Sequence, residues 1–353
     1  MKYKWNRNCR SYLGKYACDS IRYEGYTSCE DCNFYDPIGK KILIIKLGAM
    51  GDVLRTTPIL KALKNKYKDP HITWLVNKES KDFLNSPRID RTFEYNFENV
   101  LRLLKEKFDV LISLEVDAPG ITIASYINAK EKFGYFLNED GHTSSFNKSA
   151  DYYLERALSD KINRQNRKNY QEMIFEIAEL KYNKEDLDFN FKPEEGGYIL
   201  INIGADTRWP SKSWAPEQIV ELIKKLRNEK VMIAGGPKEV GLQKKILATL
   251  ALDGINVLHN DCNNTLKEFV EVINKSKLVV TGDTMALHLA TALNKKVIAL
   301  FFCTPSCEIE DYGRIKKITS PLLEKYCYTD EYSKELVNSI SAEQVYEIIK
   351  ELK

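Results

Sequence analysis

The stretch "ILIIKLGAMGDVLRTTPILKALKNKY", residues 42–67, decides the fold because it holds a strand, a turn and a helix in that order. Its first part is a continuous apolar run, typical of a buried strand, and its last part repeats apolar residues every three to four positions, as an amphipathic helix does. Gly48 and Gly51 mark the turn between the two. Asp52 stands at the mouth of the predicted helix, where a carboxylate either caps the helix or faces a ligand.

The same alternation continues along the chain and predicts two α/β domains. The charged linker "YNKEDLDFNFKPEEGG" separates a first series of strands and helices from a second series that begins at "YILINIG", residues 198–204. Alternation of this kind produces parallel sheets with helices on both faces. We therefore divide the chain into a cysteine-rich extension at 1–38, an N-terminal domain at 39–185 and a C-terminal domain at 186–353, whose last helix is a candidate to cross back.

Composition excludes several classes of protein. The chain has 353 residues and a net charge of only +3, which is too small to indicate nucleic-acid binding. Its first sixteen residues hold no continuous apolar segment, which argues against a secretory signal. No apolar run approaches the ~20 residues that a membrane span requires. The sequence predicts a cytoplasmic protein and leaves open a peripheral contact with the cytoplasmic face of a membrane.

Four of the eight cysteines fall close together near the start of the chain: Cys9, Cys18, Cys29 and Cys32. In a chain without a secretion signal, such a cluster indicates metal binding before structural disulfides. The last pair has the C-x2-C spacing of zinc sites, and no histidine precedes His71, so a local site would use all four thiolates. We predict structural zinc here, or an iron–sulfur cluster in its place. Unligated reduced thiols are the simpler alternative.

A polar loop between a strand and a helix is the predicted phosphate site. The segment "NIGADTRWPSKSW", residues 202–214, offers one lysine, one arginine and three hydroxyl groups: Thr207, Arg208, Ser211, Lys212 and Ser213. Such groups neutralise a pyrophosphate as charge develops on it. The alternative is a polar loop that the two tryptophans merely anchor.

Two more strand ends carry candidate ligand contacts. "VMIAGGPKEVGL" places two glycines where a ligand can approach the backbone closely, with a glutamate that can accept from sugar hydroxyls. In "LVVTGDTMALHLATAL", a predicted strand ends at Asp283, a hydrogen-bond acceptor, and Thr284, a hydroxyl group. His288 lies on the helix that follows. A lone histidine on an apolar helix is more often a packed core residue than a ligand contact. The candidates are Gly235, Gly236, Glu239, Asp283, Thr284 and His288.

Taken in order, these segments resemble the ADP-heptose:lipopolysaccharide heptosyltransferases, glycosyltransferase family 9. The residues that carry the resemblance are "GAMGDVLRTTPIL", "GADTRWPSKSW", "AGGPKE", "TGDTMALHLATAL" and "SCEIEDYGR". The resemblance implies a GT-B fold, in which two Rossmann-like domains, one for the acceptor and one for the nucleotide-sugar donor, face each other across a cleft. It also implies transfer with inversion and without a catalytic metal.

The resemblance assigns roles residue by residue. Asp52 matches the family's proposed general base, and Lys212 matches the lysine that contacts donor phosphate. The Asp283 segment matches the family's "D-T-G-x-x-H", and Glu239 falls near an acidic donor contact. The remaining expected donor contacts are Gly51, Thr207, Arg208, Ser211, Gly235, Gly236, Thr284 and His288.

The expected reaction moves a heptose from ADP-heptose to a hydroxyl of a glycan acceptor such as lipopolysaccharide core. Met285 replaces a glycine of the family pattern, and Cys303 and Cys307 lie in a loop that is usually "G-P-T-S"-like, which leaves the exact donor open. A protein or small-molecule acceptor, a nucleotide-sugar 2-epimerase and a non-catalytic scaffold are the alternatives. Nucleic-acid binding is the weakest of the alternatives, because acidic residues in the extension would repel a phosphate backbone.

Overall fold

The computed structural model describes residues 5–12, 14–81, 84–205 and 208–352. The chain forms two compact units, and it passes between them several times. The first unit comprises Met1–Gly48, Ile59–Glu155 and Ile174–Tyr182, and the second comprises Ala49–Pro58, Arg156–Met173 and Asn183–Lys353. The segment with Asp52 therefore belongs to the second unit. The domain boundaries expected at 38/39 and 185/186 stay predictions.

Each unit contains one six-stranded sheet. The first sheet holds β1 (Lys41–Ile45), β2 (His71–Val76), β3 (Arg91–Glu94), β4 (Lys107–Ser113), β5 (Asn128–Leu137) and β6 (Thr143–Ser145). The second holds β7 (Tyr198–Asn202), β8 (Val231–Ala234), β9 (Leu258–His259), β10 (Ser276–Gly282), β11 (Lys296–Phe301) and β12 (Ile315–Thr319).

The helices follow the strands along the chain. In order they are α1 (Asp19–Tyr23), α2 (Met50–Thr56), α3 (Ile59–Lys66), α4 (Lys78–Lys81), α5 (Phe97–Lys105), α6 (Ala118–Tyr126), α7 (Lys148–Ala157), α8 (Asp160–Asn163), α9 (Tyr170–Ile177), α10 (Pro216–Lys225), α11 (Val240–Leu252), α12 (Leu266–Asn274), α13 (Met285–Ala292), α14 (Leu323–Tyr326), α15 (Lys334–Val337) and α16 (Ala342–Leu352).

The first sheet has the order β3-β2-β1-β4-β5-β6, and its strands pair in parallel except for β5 with β6. β1 lies centrally, and its residues 42–45 are fully buried, as expected for a strand covered on both faces. Beyond the end of β4, Glu115 is buried, and its Oε1 accepts from the backbone N–H groups of Leu47 and Gly48, each at 2.7 Å. Lys46 Nζ lies 3.0 Å from the same oxygen, so one buried carboxylate fixes the chain that follows β1.

The second sheet has the order β12-β11-β10-β7-β8-β9, with every strand parallel to its neighbours. The chain runs outward from β7 to β9 and then returns to β10 on the other side of β7. This reversal is a topological switch point, and open α/β sheets bind ligands at the carboxyl ends of the strands at such a point. The second unit therefore has a natural ligand site between the ends of β7 and β10.

The N-terminal extension buries little of its own surface. Among the described residues of 5–38, Cys9 alone is buried, and it forms an isolated antiparallel bridge with Pro37. Arg10 makes an ion pair with Asp90, which ties the extension to the first unit. Over the described ranges of the chain, no helix combines the length and the apolar character needed to cross a membrane.

Candidate active site

A cavity of about 530 Å³ opens in the second unit at the carboxyl ends of its central strands. Residues from α2, from the loop after β7 and from the start of α13 are among those that line it. The lining includes Gly51, Asp52, Arg55, Asn202, Arg208, Lys212, Gly236, Glu239, Asp283, Thr284, Met285, His288, Thr304 and Glu308. Its position matches the switch point of the sheet, so we take it as the candidate active site.

Asp283, just after β10, is a carboxylate of the cavity that several neighbouring groups stabilise. Lys212 Nζ lies 2.7 Å from its Oδ2, and the Thr304 hydroxyl donates to the same oxygen at 2.9 Å. Burial opposes ionisation, but the nearby positive charges, that of Lys212 first, hold the pKa of Asp283 well below its usual range. A carbon added at Gly282 would lie 2.1 Å from the Lys212 carbonyl oxygen, so glycine is required for this close approach.

Asn202, the last residue of β7, orders the neighbouring hydroxyls. The two N–H groups of its Nδ2 are shared among three acceptors within hydrogen-bond distance: Thr281 Oγ1 at 3.1 Å, Thr284 Oγ1 at 3.2 Å and the Gly204 carbonyl oxygen at 3.1 Å. The Thr284 hydroxyl, at the start of α13, is thus held beside Asp283 at the cavity wall. In the turn that follows β8, Glu239 Oε2 accepts from the backbone N–H of Gly236 at 2.9 Å.

His288 is buried on α13 and is neutral at physiological pH. Burial, assisted by the charge of Arg55, lowers the pKa of His288 to about 3. Its Nε2 lies 4.0 Å from Asp283 Oδ1. A Cβ added at Gly51 would lie only 2.6 Å from His288 Cδ2, so the glycine allows α2 to pack closely against α13.

Asp52 lies in the first turn of α2 and lines the cavity. Its Oδ1 accepts from Arg55 Nη2 at 2.8 Å, and its side chain remains 36% exposed, whereas that of Arg55 is only 14% exposed. The sequence interpretation did not single out Arg55. The available signal was its spacing, because residues three apart on a helix are neighbours.

The structure brings together most of the predicted site residues but not all of them. Ser211 is fully buried outside the cavity, where its hydroxyl donates to the Glu331 carbonyl at 2.8 Å and accepts from the Ser333 N–H at 3.0 Å. Gly235 does not line the cavity either, and its N–H donates to Asn260 Oδ1 at 3.1 Å. Thr207 lies outside the described residues.

Glu308 is a second cavity residue that the sequence interpretation missed, although it falls within the quoted segment "SCEIEDYGR". Burial raises the pKa of Glu308, and the Tyr328 hydroxyl donates to its Oε1 at 2.8 Å. Of the family departures noted above, Met285 lines the cavity, while Cys303 is fully buried and does not. Burial raises the pKa of the Cys303 thiol to about 11, so this thiol stays protonated.

The four N-terminal cysteines, Cys9, Cys18, Cys29 and Cys32, line a common cavity of about 300 Å³ within the first unit. No disulfide joins the cysteines that the structure describes. Within the described ranges, no three or more His, Cys, Asp or Glu side chains are arranged to hold a metal ion. The metal site therefore stays a prediction.

Sequence comparison gives consistent matches over most of the chain. The model of glycosyltransferase family 9 (heptosyltransferase) matches residues 100–337, about two thirds of the chain. Lipopolysaccharide heptosyltransferase 1 of Campylobacter coli is 25% identical over 348 residues, covering 88% of this chain and 98% of that protein. Lipopolysaccharide core heptosyltransferase OpsX of Haemophilus influenzae is 22% identical over 302 residues, covering 80% and 84%.

Solved structures match the fold over the same extent. A glycosyl transferase family 9 protein from Veillonella parvula has a TM-score of 0.65 at 18% identity and covers 89% of this chain and 97% of its own. The Escherichia coli heptosyltransferase WaaC, solved with ADP, has a TM-score of 0.62 at 16% identity and covers 89% and 100%. These likenesses confirm the GT-B fold predicted from the sequence; they do not bear on the cysteine-rich extension.

Proposed function

The chain belongs to glycosyltransferase family 9, the heptosyltransferases, and from that premise we propose that it moves a heptose from ADP-heptose to a hydroxyl of a glycan acceptor such as lipopolysaccharide core. One observation carries the proposal: Asp52 and Lys212, predicted as base and phosphate contact, line a single cavity together with Asp283 and His288. Relatives named as lipopolysaccharide heptosyltransferases and a neighbour solved with ADP support the choice of donor and acceptor.

The proposed reaction is a single displacement with inversion. The acceptor oxygen attacks the anomeric carbon of the heptose while its proton passes to Asp52, which acts as general base. The bond between the anomeric carbon and the diphosphate oxygen breaks, and ADP leaves with the electron pair. No metal takes part in this scheme, because Lys212 supplies a positive charge for the diphosphate. Lys212 is bonded to Asp283, but an ammonium has three donors and can bridge that carboxylate to a phosphate oxygen.

The other cavity residues then serve the donor. We propose that Glu239 accepts from sugar or ribose hydroxyls and that Thr284 and Asp283 orient the diphosphate end. His288, held neutral, is proposed as a packing and hydrogen-bonding residue rather than a charged contact. The proposed donor contacts are completed by Gly51, Thr207, Arg208 and Gly236. Ser211 and Gly235, which do not line the cavity, would stabilise the loops that carry these contacts.

A ligand screen tests the donor. A ligand that binds only the folded protein raises its melting temperature, so ADP-heptose, ADP, UDP and GDP are compared at equal concentration by thermal shift and calorimetry. We expect ADP-heptose to stabilise most and ADP next. A larger shift with UDP or GDP would contradict the assignment and would point to Met285 as the residue that alters the donor. In the same assay, Lys212→Ala should weaken ADP binding about tenfold or more.

The acceptor and the reaction class need a separate test. Incubation with ADP-heptose and heptose-free lipopolysaccharide core should release ADP and add one heptose mass to the acceptor. A nucleotide-sugar 2-epimerase would convert its sugar without any acceptor, and a scaffold would convert nothing. Protein and small-molecule hydroxyls are the other acceptors to try, and no nucleic-acid partner is proposed. We place the enzyme in the cytoplasm, in peripheral contact with the membrane that presents a lipid-linked acceptor.

We also propose that Cys9, Cys18, Cys29 and Cys32 hold a structural metal, zinc or an iron–sulfur cluster. Two observations support this: the four thiols line one cavity, and the extension lacks the core that would hold so short a segment together. Metal sites commonly assemble only when the ion binds, so binding would draw the thiolates inward. Metal analysis after anaerobic purification should find stoichiometric zinc or iron, lost in Cys29→Ser but retained in the control Cys307→Ser. Absence of metal in the wild type would end the proposal.

A further inference from the structure

Arg55 is bound to the proposed base from within the same helix. Its Nη2 donates to Asp52 Oδ1 at 2.8 Å, and the arginine is the more buried partner of the pair. Ion pairs three residues apart on an exposed helix contribute little, because water screens them. Here the guanidinium is largely removed from water, and turning away from Asp52 would leave a buried charge without its counter-ion. The contact therefore holds the carboxylate in one orientation.

A second element holds Arg55 from the other side. The ring of Tyr170, at the start of α9, lies 4.0 Å from Arg55 Cζ, a stacking distance for a guanidinium on an aromatic face. The Tyr170 hydroxyl lies 3.0 Å from Thr56 Oγ1, and Gln171 Nε2 donates to the Arg55 carbonyl at 3.4 Å. The side chain is thus fixed by contacts on two faces. Within the described residues, its buried Nε has no hydrogen-bond partner, as is also true of Arg314 Nε.

The charge of Arg55 acts on an acidic neighbourhood. Burial opposes the charged form of Arg55, but the acidic groups around it, Asp52 first and then Tyr170, Asp283 and Glu308, together outweigh burial and raise the pKa of Arg55. The same positive charge favours the ionised forms of Asp283 and Glu308. A nucleotide diphosphate would bring further negative charge into this cavity and would favour protonation of any carboxylate without a cationic partner. The charged and titratable groups that line the cavity with Asp52 are Arg55, Arg208, Lys212, Glu239, Asp283, His288 and Glu308, and Tyr170 contacts Arg55.

We propose that Arg55 is a positioning residue for catalysis: it fixes Asp52 Oδ1 and keeps the carboxylate ionised when the donor diphosphate enters the cavity. The inference rests on the proposed function, since it needs Asp52 to act as the base. It explains how a carboxylate at the mouth of a helix can share a cavity with a phosphate-bearing ligand. The positive charge of Arg55, the more buried partner, balances the negative charge of the Asp52 carboxylate.

The test separates turnover from donor binding. Arg55→Gln should lower kcat about 100-fold, because a misplaced base loses most of its advantage, while the Kd for ADP by calorimetry changes less than about threefold. Arg55→Lys keeps the positive charge but loses the planar guanidinium group. Its kcat should lie between those of the wild type and Arg55→Gln. Turnover of Arg55→Ala should recover in part when millimolar guanidinium chloride is added, which a merely structural role would not produce. Arg227→Gln, an exposed arginine replaced in the same way, is the matched control.

The outcomes are distinguishable. Wild-type protein that releases no ADP from ADP-heptose with any acceptor tried contradicts the proposed function. An active wild type with an Arg55→Gln variant of unchanged kcat overturns the positioning role alone. Equal losses of ADP affinity and kcat in that variant would also overturn it, because Arg55 would then act on the donor. If Arg55→Ala does not fold, Arg55→Lys and Arg55→Gln, checked by circular dichroism, still give the split between kcat and Kd.

Discussion

At the scale of single residues, Asp52 is the side chain on which the proposed chemistry depends, and its replacement gives the first prediction. Asp52→Asn keeps the size and the hydrogen-bonding oxygen but cannot accept the acceptor's proton. We expect transfer to fall about a thousandfold, with ADP affinity within a few-fold of wild type. Steady-state transfer and calorimetric titration with ADP measure the two effects. Normal turnover with weakened ADP binding would contradict the role as base.

His288 gives a prediction about stability and pH. Burial and Arg55 lower the pKa of His288 to about 3, whereas an unfolded histidine titrates near 6.5. Between these values the unfolded chain binds the extra proton, so His288 makes stability fall as the pH is lowered from about 6.5 toward 3. His288→Gln should remove this component.

The measurement is the free energy of unfolding in urea at pH 7 and pH 5. The loss between the two should be about 2 kcal/mol smaller in His288→Gln than in the wild type. His259→Gln, at an exposed histidine, is the control and should match the wild type at both values. Equal pH dependence in His288→Gln and wild type would show that His288 titrates normally in the folded protein.

The limits of the sequence at this scale have a physical cause. Asp52, Lys212, Asp283 and His288 could be located because each follows a recognisable strand end or helix start. Ser211 could not be excluded from the cavity, because its bonds go to residues more than a hundred positions away. The direction in which a loop side chain points depends on partners that are distant in sequence. A local sequence pattern carries no information about those partners.

At the scale of elements, the contact between α2 and α13 depends on Gly51. A Cβ there would lie 2.6 Å from the His288 ring, so Gly51→Ala must displace the ring or the helix. Overpacking of this kind costs about 1–3 kcal/mol. We expect Gly51→Ala to lower stability by that amount and to reduce transfer, as measured by urea unfolding and ADP release.

Gly241 in α11 offers the matched control. An added Cβ there meets no described atom within 4 Å, so Gly241→Ala should stabilise the protein slightly, by about 0.5–1 kcal/mol, because alanine favours the helix. Similar effects of the two substitutions would mean that Gly51 is not needed for the packing of α2 against α13.

The alternation of strands and helices was predictable because buried parallel strands are continuous apolar runs. The breaks within helical stretches were not all recognised. The segment 52–67, expected as one helix, is divided into α2 and α3 at Pro58, which lacks an N–H group and clashes with the preceding turn. The polar stretch at roughly 150–180, whose pattern predicts one long helical stretch, is divided into three helices, α7, α8 and α9. Two edge strands, β6 and β12, were missed, and the sequence of β12, "IKKIT", has a weak apolar pattern.

At the scale of the whole molecule, the compact units are not continuous in sequence, and their composition predicts which segments ADP stabilises. Every residue that lines the candidate active site belongs to the second unit, including the segment Ala49–Pro58, which in sequence interrupts the first. A ligand stabilises the elements that it contacts and those that unfold together with them. ADP should therefore slow hydrogen exchange in that segment, in the loop after β7 and in α13.

Peptides from β2 and β4 are the internal reference, because these strands belong to the first unit and contribute no residue to the cavity. Their exchange rates should be unchanged at an ADP concentration that protects α13 at least tenfold. Protection in β2 and β4 equal to that in α13 would mean that the two units unfold as one, and the melting temperature would then report on the whole chain. Protection confined to the second unit, with α2 included, would show that the helix of Asp52 responds to the nucleotide together with the second sheet. The proposed chemistry requires this response, because the base must stay aligned with the donor.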